Sequence, residues 1–187
     1  KERHVELKVH KVVGQPSIGQ SVEEWARNQR YNYVRRQMNS RSLVLTAHHS
    51  NDQVETVIQR FAQGAGPYGL RGIVPLRKLG QGYIGRPLLQ VSREDITAFA
   101  RERGLNWYED PMNYDLRFER IKIRQSVLPE LETISSKAIF RLNKLAKIQG
   151  NICDILDELA DSHLAEEKCL PKKLSVNVLR NCRRLLR

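Results

Sequence analysis

Thr46-Ala47-His48-His49-Ser50-Asn51-Asp52-Gln53-Val54-Glu55-Thr56 places two histidines and two acids within eleven residues. Two carboxylates so close together can bind an amino group, hold a magnesium ion or act as a base. A zinc site of His48, His49 and an acid is disfavoured, because adjacent residues on an extended chain point to opposite faces. If a helix starts at Ser50 or Asn51, Asp52, Glu55 and Gln59 fall within about 60° of one another at 100° per residue. Val54, Val57, Ile58 and Phe61 then lie on the other side. A purely structural reading competes: Ser50-x-x-Gln53 forms a capping box, and an acid in a first turn favours the helix dipole. That explains Asp52 and Gln53. It leaves Glu55 and the histidine pair without a reason.

The elements around this stretch must position it. Leu43-Val44-Leu45 reads as a short buried parallel strand, and the pattern Val54, Val57, Ile58, Phe61 as a helix stopped by Gly64. Ligands of open parallel sheets bind at the carboxyl ends of the strands, where Asp52 and Glu55 fall. Val5 to Val9 alternates with period two, predicting another strand. Ser21-x-x-Glu24 caps a helix that ends before Asn39-Ser40. Gly64, Gly66, Gly69 and Gly72 with Pro67 make an irregular loop. Tyr83-Ile84 is a brief strand ended by Pro87, and Ser92 to Asp95 opens a helix that Gly104 stops. Alternating strands and helices predict a right-handed parallel α/β layer to about residue 110. Beyond Leu131 the periodicity is helical only.

Across the 187 residues, 32 Lys and Arg against 21 Asp and Glu give a net charge of +11. The excess lies at both ends: residues 1–50 carry 9 basic and 4 acidic side chains, 133–187 carry 11 and 6, and the middle is nearly balanced. Such a surface suits a polyanion, through counterion release. Mean hydropathy is −0.54, and no apolar run nears the ~18–20 residues of a membrane helix. Cys153, Cys169 and Cys182 form no C-x-x-C pair, which fits a reducing, cytoplasmic setting better than a disulfide framework.

The order of motifs then becomes specific. H-H-S-N-D-Q-V-E-T followed by F-A-Q-G-A-G-P-Y-G-L-R-G-I resembles the tRNA(Ile)-lysidine synthetases, a PP-loop ATPase family. Glu23 to Tyr31 is similar to that family's E-x-x-A-R-x-x-R-Y helix, Arg86 to Leu89 to its "RPLL" segment, and Trp107 to Asn113 to its "W-x-E-D-x-x-N" segment. Phe118 to Arg124 and Leu128 to Leu131 continue the order, over residues 4–132 in all.

The resemblance implies a Rossmann-like, adenine nucleotide alpha hydrolase-like parallel-sheet domain. This chain would hold its C-terminal part over 1–132. An all-helical segment at 133–187 would begin a second, tRNA-binding domain. It further implies ATP and Mg2+ as cofactors, tRNA(Ile) with a CAU anticodon and free L-lysine as substrates, no membrane partner, and a homodimer as one assembly to consider. ATP would adenylate C2 of the wobble cytidine, and a lysine amine would displace AMP. Asp52 and Glu55 would hold the lysine amines, and His48 and Arg30 would face the phosphate of ATP and the leaving AMP. Arg86, Arg117, Arg120 and Arg124 would meet tRNA. Plainer readings stand beside these: Arg30 as a surface ion-pair partner, the later arginines as a solvated helix face, Trp107 as core.

Asn51 and Ile121 depart from the family pattern, and Ile121 weakens tRNA contact there. The family's S-G-G-x-D-S phosphate loop is not found in residues 1–187. The expectation is that the chain starts downstream of that loop; the alternative is loss of the ATP chemistry. Another PP-loop tRNA modifier, such as a cytidine thiolase, would need paired cysteines, and residues 1–152 have none. A non-catalytic RNA-binding module is the remaining reading.

Overall fold

The computed structural model describes residues 6–19, 21–115 and 117–166, in two compact units. One unit comprises residues 1–44 and 77–84; the other comprises 45–76 and 85–187.

The smaller unit is built on helix α1 (Val22–Gln37) and a three-stranded sheet. Strand β1 (Leu43–Leu45) pairs with β3 (Gly82–Gly85), which pairs with β2 (Leu76–Leu79), giving the order β1-β3-β2. Tyr83 N donates to Ser42 O at 2.9 Å, and just past the strands Thr46 N donates to Gly85 O at 3.0 Å, which is parallel register for β1 and β3. Sequence patterning missed β2. Its hairpin with β3 turns at Gly80, where φ is +61°, a conformation that favours glycine.

Met38, Leu79 and Ile84 form this unit's core, with Tyr31, Val34 and Val44 packed against it. Leu43 and Leu45 are exposed, so β1 is covered on one face and not buried on both as its apolar run suggested. The strand expected from Val5 is also absent over Glu6 to Val9, which pair with nothing in a sheet; Val5 itself lies outside the described residues. Alternation alone does not make a strand without a partner edge to bond.

The larger unit contains α2 (Ser50–Ala62), α3 (Pro67–Leu70), α4 (Arg93–Glu102), a 3₁₀ turn at Pro111–Tyr114, α5 (Glu119–Lys122), α6 (Leu128–Ile134) and α7 (Ala138–Glu166), with α2 packed against α3, α5 and α7. Val54, Ile123 and Leu128 are its buried cluster, joined by Ile58, Ile139 and Leu142. Burying an aliphatic side chain of this size is worth about 1.5–3 kcal/mol. Phe61, expected on the apolar face, is exposed. The caps of α4 follow expectation: Ser92 Oγ accepts from Asp95 N at 3.0 Å, and Gly104 follows the helix at φ +60°.

Between α5 and α6, Ile123–Val127 winds as a π-helix, with Leu128 N donating to Ile123 O. Pro129 follows at once. Its ring has no N–H to give and crowds the carbonyl four residues back, so the preceding turn opens wider. No helix among the described residues is long and apolar enough to cross a membrane.

Candidate active site

Helix α2 starts one residue earlier than the capping-box pattern suggested. His49 is the N-cap, and Asp52, not Gln53, reaches back: His49 N donates to Asp52 Oδ2 at 2.9 Å. Ser50 is the first helical residue, its N–H donating to Val91 O at 2.9 Å. Asn51 turns outward from the cap as well, its Oδ1 accepting from Arg93 N at 3.1 Å at the start of α4.

Gln53 is thereby released for another task. It is buried, its Oε1 accepts from Ile73 N at 2.6 Å, and its Nε2 donates to Arg71 O at 3.0 Å. The end of the glycine loop is therefore fastened to the site helix. Gly72 between those two residues has φ +65°, and a Cβ there would stand 2.6 Å from Gln53 Oε1. Only glycine meets both demands.

The polar face of α2 emerges as predicted, with Asp52, Glu55 and Gln59 all meeting one segment, Glu119 to Arg124. Gln59 Nε2 donates to Glu119 Oε2 at 2.9 Å. Arg120 bridges both acids: Nε donates to Glu55 Oε2 at 2.8 Å and Nη2 to Asp52 Oδ1 at 2.9 Å. Arg124 grips Glu55 with two bonds, Nε to Oε1 at 2.7 Å and Nη2 to Oε2 at 3.1 Å. The two arginines stand four apart on one helical run, hence on one face. Glu55 is completely buried, and Asp52 is 15% exposed at its side chain. A carboxylate taken from water is costly unless ion-paired and hydrogen-bonded, and here it is both. The Glu55 carboxylate in turn raises the pKa of Arg124 above its ordinary value.

The other expected residues are placed as follows. His48 is half-buried, with Thr46 Oγ1 2.8 Å from its Nδ1. Arg30 lies on the exposed side of α1 in the smaller unit. Arg86 is buried, and its Nη1 donates to Val74 O at 2.7 Å, fastening the chain after β3 to the loop end. Arg117 is exposed and holds Asp115 through Nε and Nη2 at 2.6–3.0 Å. That contact holds the Asp115 carboxyl down at about 2. Trp107 is not core: it is half-exposed, its Nε1 donating to Glu109 Oε1 at 3.0 Å. Ile121 is buried.

A family model described as a PP-loop domain matches residues 1–131. The chain belongs to the PP-loop family. Among curated proteins, the tRNA(Ile)-lysidine synthase of Pseudomonas syringae pv. tomato is 41% identical over 147 residues, 79% of this chain and 33% of that protein. The namesake of Pseudomonas putida is 39% identical over 161 residues, 86% and 37% of the two chains. That of Vibrio vulnificus strain YJ016 is 37% identical over 158 residues, 84% and 36%. The chain thus spans about a third of the length of the curated relatives it matches.

Within this PP-loop domain, sequence reasoning found both acids but not their partners. The signal was available: a carboxylate pair at i,i+3 on one helix and a guanidinium pair at i,i+4 on another are complementary in reach. The loop-fastening role of Gln53 had no such signal, because the capping motif accounted for that residue locally.

Proposed function

We propose that this chain is part of a tRNA(Ile)-lysidine synthetase. The reaction links free lysine to C2 of the wobble cytidine in an isoleucine tRNA with a CAU anticodon. In the first step the C2 oxygen attacks the α-phosphorus of ATP and pyrophosphate leaves, giving adenylated RNA. In the second a lysine amine attacks C2, AMP departs with the oxygen, and the amine loses a proton. The observation that carries this reading is the buried Glu55 beside Asp52, directly after β1, in a PP-loop chain whose relatives bear that name.

Asp52 and Glu55 present negative charge at low dielectric, which orients a diamine substrate. His48 and Arg30 are assigned to the phosphate of ATP and to the AMP leaving group, where a cation or an N–H donor stabilises developing negative charge. Mg2+ enters with ATP, as its counter-cation. Every oxygen of Asp52 and Glu55 already accepts a hydrogen bond from Arg120, Arg124 or His49 N, a poor setting for a metal site of their own. Among the arginines assigned to tRNA phosphates, Arg117 is exposed, whereas Arg86, Arg120 and Arg124 are engaged in internal contacts. Residues 1–132 are assigned to the synthetase domain and 133–187 to the start of a helical tRNA-binding domain; the segment Leu179–Leu186, similar in style to that domain, lies outside the described residues. A homodimer and a cytoplasmic location belong to the same proposal.

The test is a lysine-, ATP- and tRNA-dependent incorporation assay on the complete protein. Lysine incorporated into tRNA(Ile), with AMP and pyrophosphate released, is the expected result; no incorporation under any lysine concentration overturns the reading.

A further inference from the structure

The glycine-rich segment from Gly64 to Gly72 is held by side chains of two different helices. At its exit, Gln53 of α2 accepts from Ile73 N and donates to Arg71 O. In its middle, Tyr68 of α3 donates its phenol O–H to Asp157 Oδ1 of α7 at 2.5 Å. Arg71 lies over the Tyr68 ring, its Cζ 5.2 Å from the centroid, so both attachments act on one short stretch of chain. α3 packs on α7. Cys153, one helical turn before Asp157 and hence on the same face of α7, is fully buried. Asp157 itself is exposed. Four of the nine residues in this segment are glycines. Such a chain loses more conformational freedom on ordering than most, so outside contacts must choose its conformation.

We propose that Tyr68 and Asp157 are a positioning pair, through which α7 holds the glycine-rich segment in the conformation that the reaction at α2 requires. The proposal rests on the lysine-transfer reading. The hydrogen bonds of Asp52 and Glu55 run to other residues, so the pair acts at a distance. Its effect passes from Asp157 to Tyr68, along Arg71 to Ile73, and into Gln53, which directly follows Asp52. An exposed hydrogen bond exchanges with water and adds little to stability. It still selects one conformation among the many open to a glycine-rich chain. Because α7 lies in the segment assigned to tRNA binding, the pair makes the site depend on where that helix stands.

The test is lysine incorporation into tRNA(Ile) by the complete protein. Tyr68→Phe keeps the ring under Arg71 and removes only the O–H. Its kcat is expected to fall about 10- to 100-fold, as for a reacting group misplaced by an ångström. The KM for lysine and the Kd for tRNA stay within about twofold of wild type. Asp157→Ala gives the same loss, and the double variant is no worse than either single one, since all three remove one contact. Asp157→Asn keeps an acceptor oxygen and restores most of kcat. The contact also has a spectroscopic signature. The bond to Asp157, with burial and the carboxylate charge adding to it, pushes the Tyr68 phenol up from 10.0 to about 12. In Asp157→Ala its absorbance titration returns toward the ordinary value. A lower urea midpoint with unchanged kcat makes the contact structural only and overturns the proposal, as do single losses that add in the double variant. A wild type that incorporates no lysine removes the functional reading and this proposal together, whereas Tyr68→Phe working at the wild-type rate removes this proposal alone.

Discussion

Two carboxylate–guanidinium pairs in the larger unit have nearly the same geometry and opposite surroundings. Arg124 holds Glu55 through Nε and Nη2, and Arg117 holds Asp115 through the same two nitrogens. Glu55 is fully buried and Arg124 is 26% exposed, whereas Arg117 is 87% exposed. In water the second pair exchanges one set of hydrogen bonds for another, and solvent screens its charges. The first has no water to fall back on, so each partner depends on the other. Bond lengths alone do not separate them. Burial does, because a carboxylate taken from water depends on its ion partner.

The largest expected effect follows from removing one half of the buried pair. Glu55→Ala leaves Arg120 and Arg124 facing a hole, at a cost of about 3–5 kcal/mol, read as a lower urea midpoint. Asp52→Asn and Glu55→Met combined with Arg120→Met and Arg124→Leu removes every charge of the cluster together and should recover most of that loss. A quadruple variant as unstable as Glu55→Ala would show that packing, not the unpaired charge, dominates.

The next effect is smaller. Gln53→Ala strips two hydrogen bonds from the loop end, about 1–3 kcal/mol in total. Amide exchange at Ile73, whose N–H Gln53 accepts, should accelerate more than exchange elsewhere in α2. Uniform acceleration would mean that Gln53 serves the helix generally and not the loop.

The smallest effect belongs to the exposed pair. Asp115→Asn should leave the urea midpoint nearly unchanged. The pair still has a pH signature. With the Asp115 carboxyl lowered from 3.8 to about 2, its contribution is present above the unfolded value and lost as pH falls through about 2. A carboxyl titration followed by NMR should find its midpoint well under that of the exposed aspartates. A midpoint near 4 would mean the contact does not persist in solution.

The elements that carry this comparison were unevenly legible in the sequence. Helix α2, its polar face and the stop at Gly64 follow from periodicity, because a helix with one buried stripe writes its pattern locally. The caps of α4 were legible for the same reason. The cap of α2 was not: Ser50-x-x-Gln53 fits the motif, but Asp52 bonds the His49 amide, and Gln53 is taken up by a loop some twenty residues on. Contacts made at that separation leave no trace in local spacing. Arg120 and Arg124 lie more than sixty residues from their partners, and only the complementary spacing of the two pairs connects them. The parallel pairing of β1 was predicted and the hairpin strand β2 was not, because Leu76-Arg77-Lys78-Leu79 lacks both alternation and β-branched residues.

The central claim is that Asp52 and Glu55 serve a lysine substrate. The most direct measurement is lysine incorporation into tRNA(Ile) by Glu55→Gln in the complete protein, with tRNA binding followed in parallel. Lysine transfer should vanish while tRNA binds with its usual affinity and its salt dependence remains steep. Wild-type incorporation by a folded Glu55→Gln protein would contradict the account.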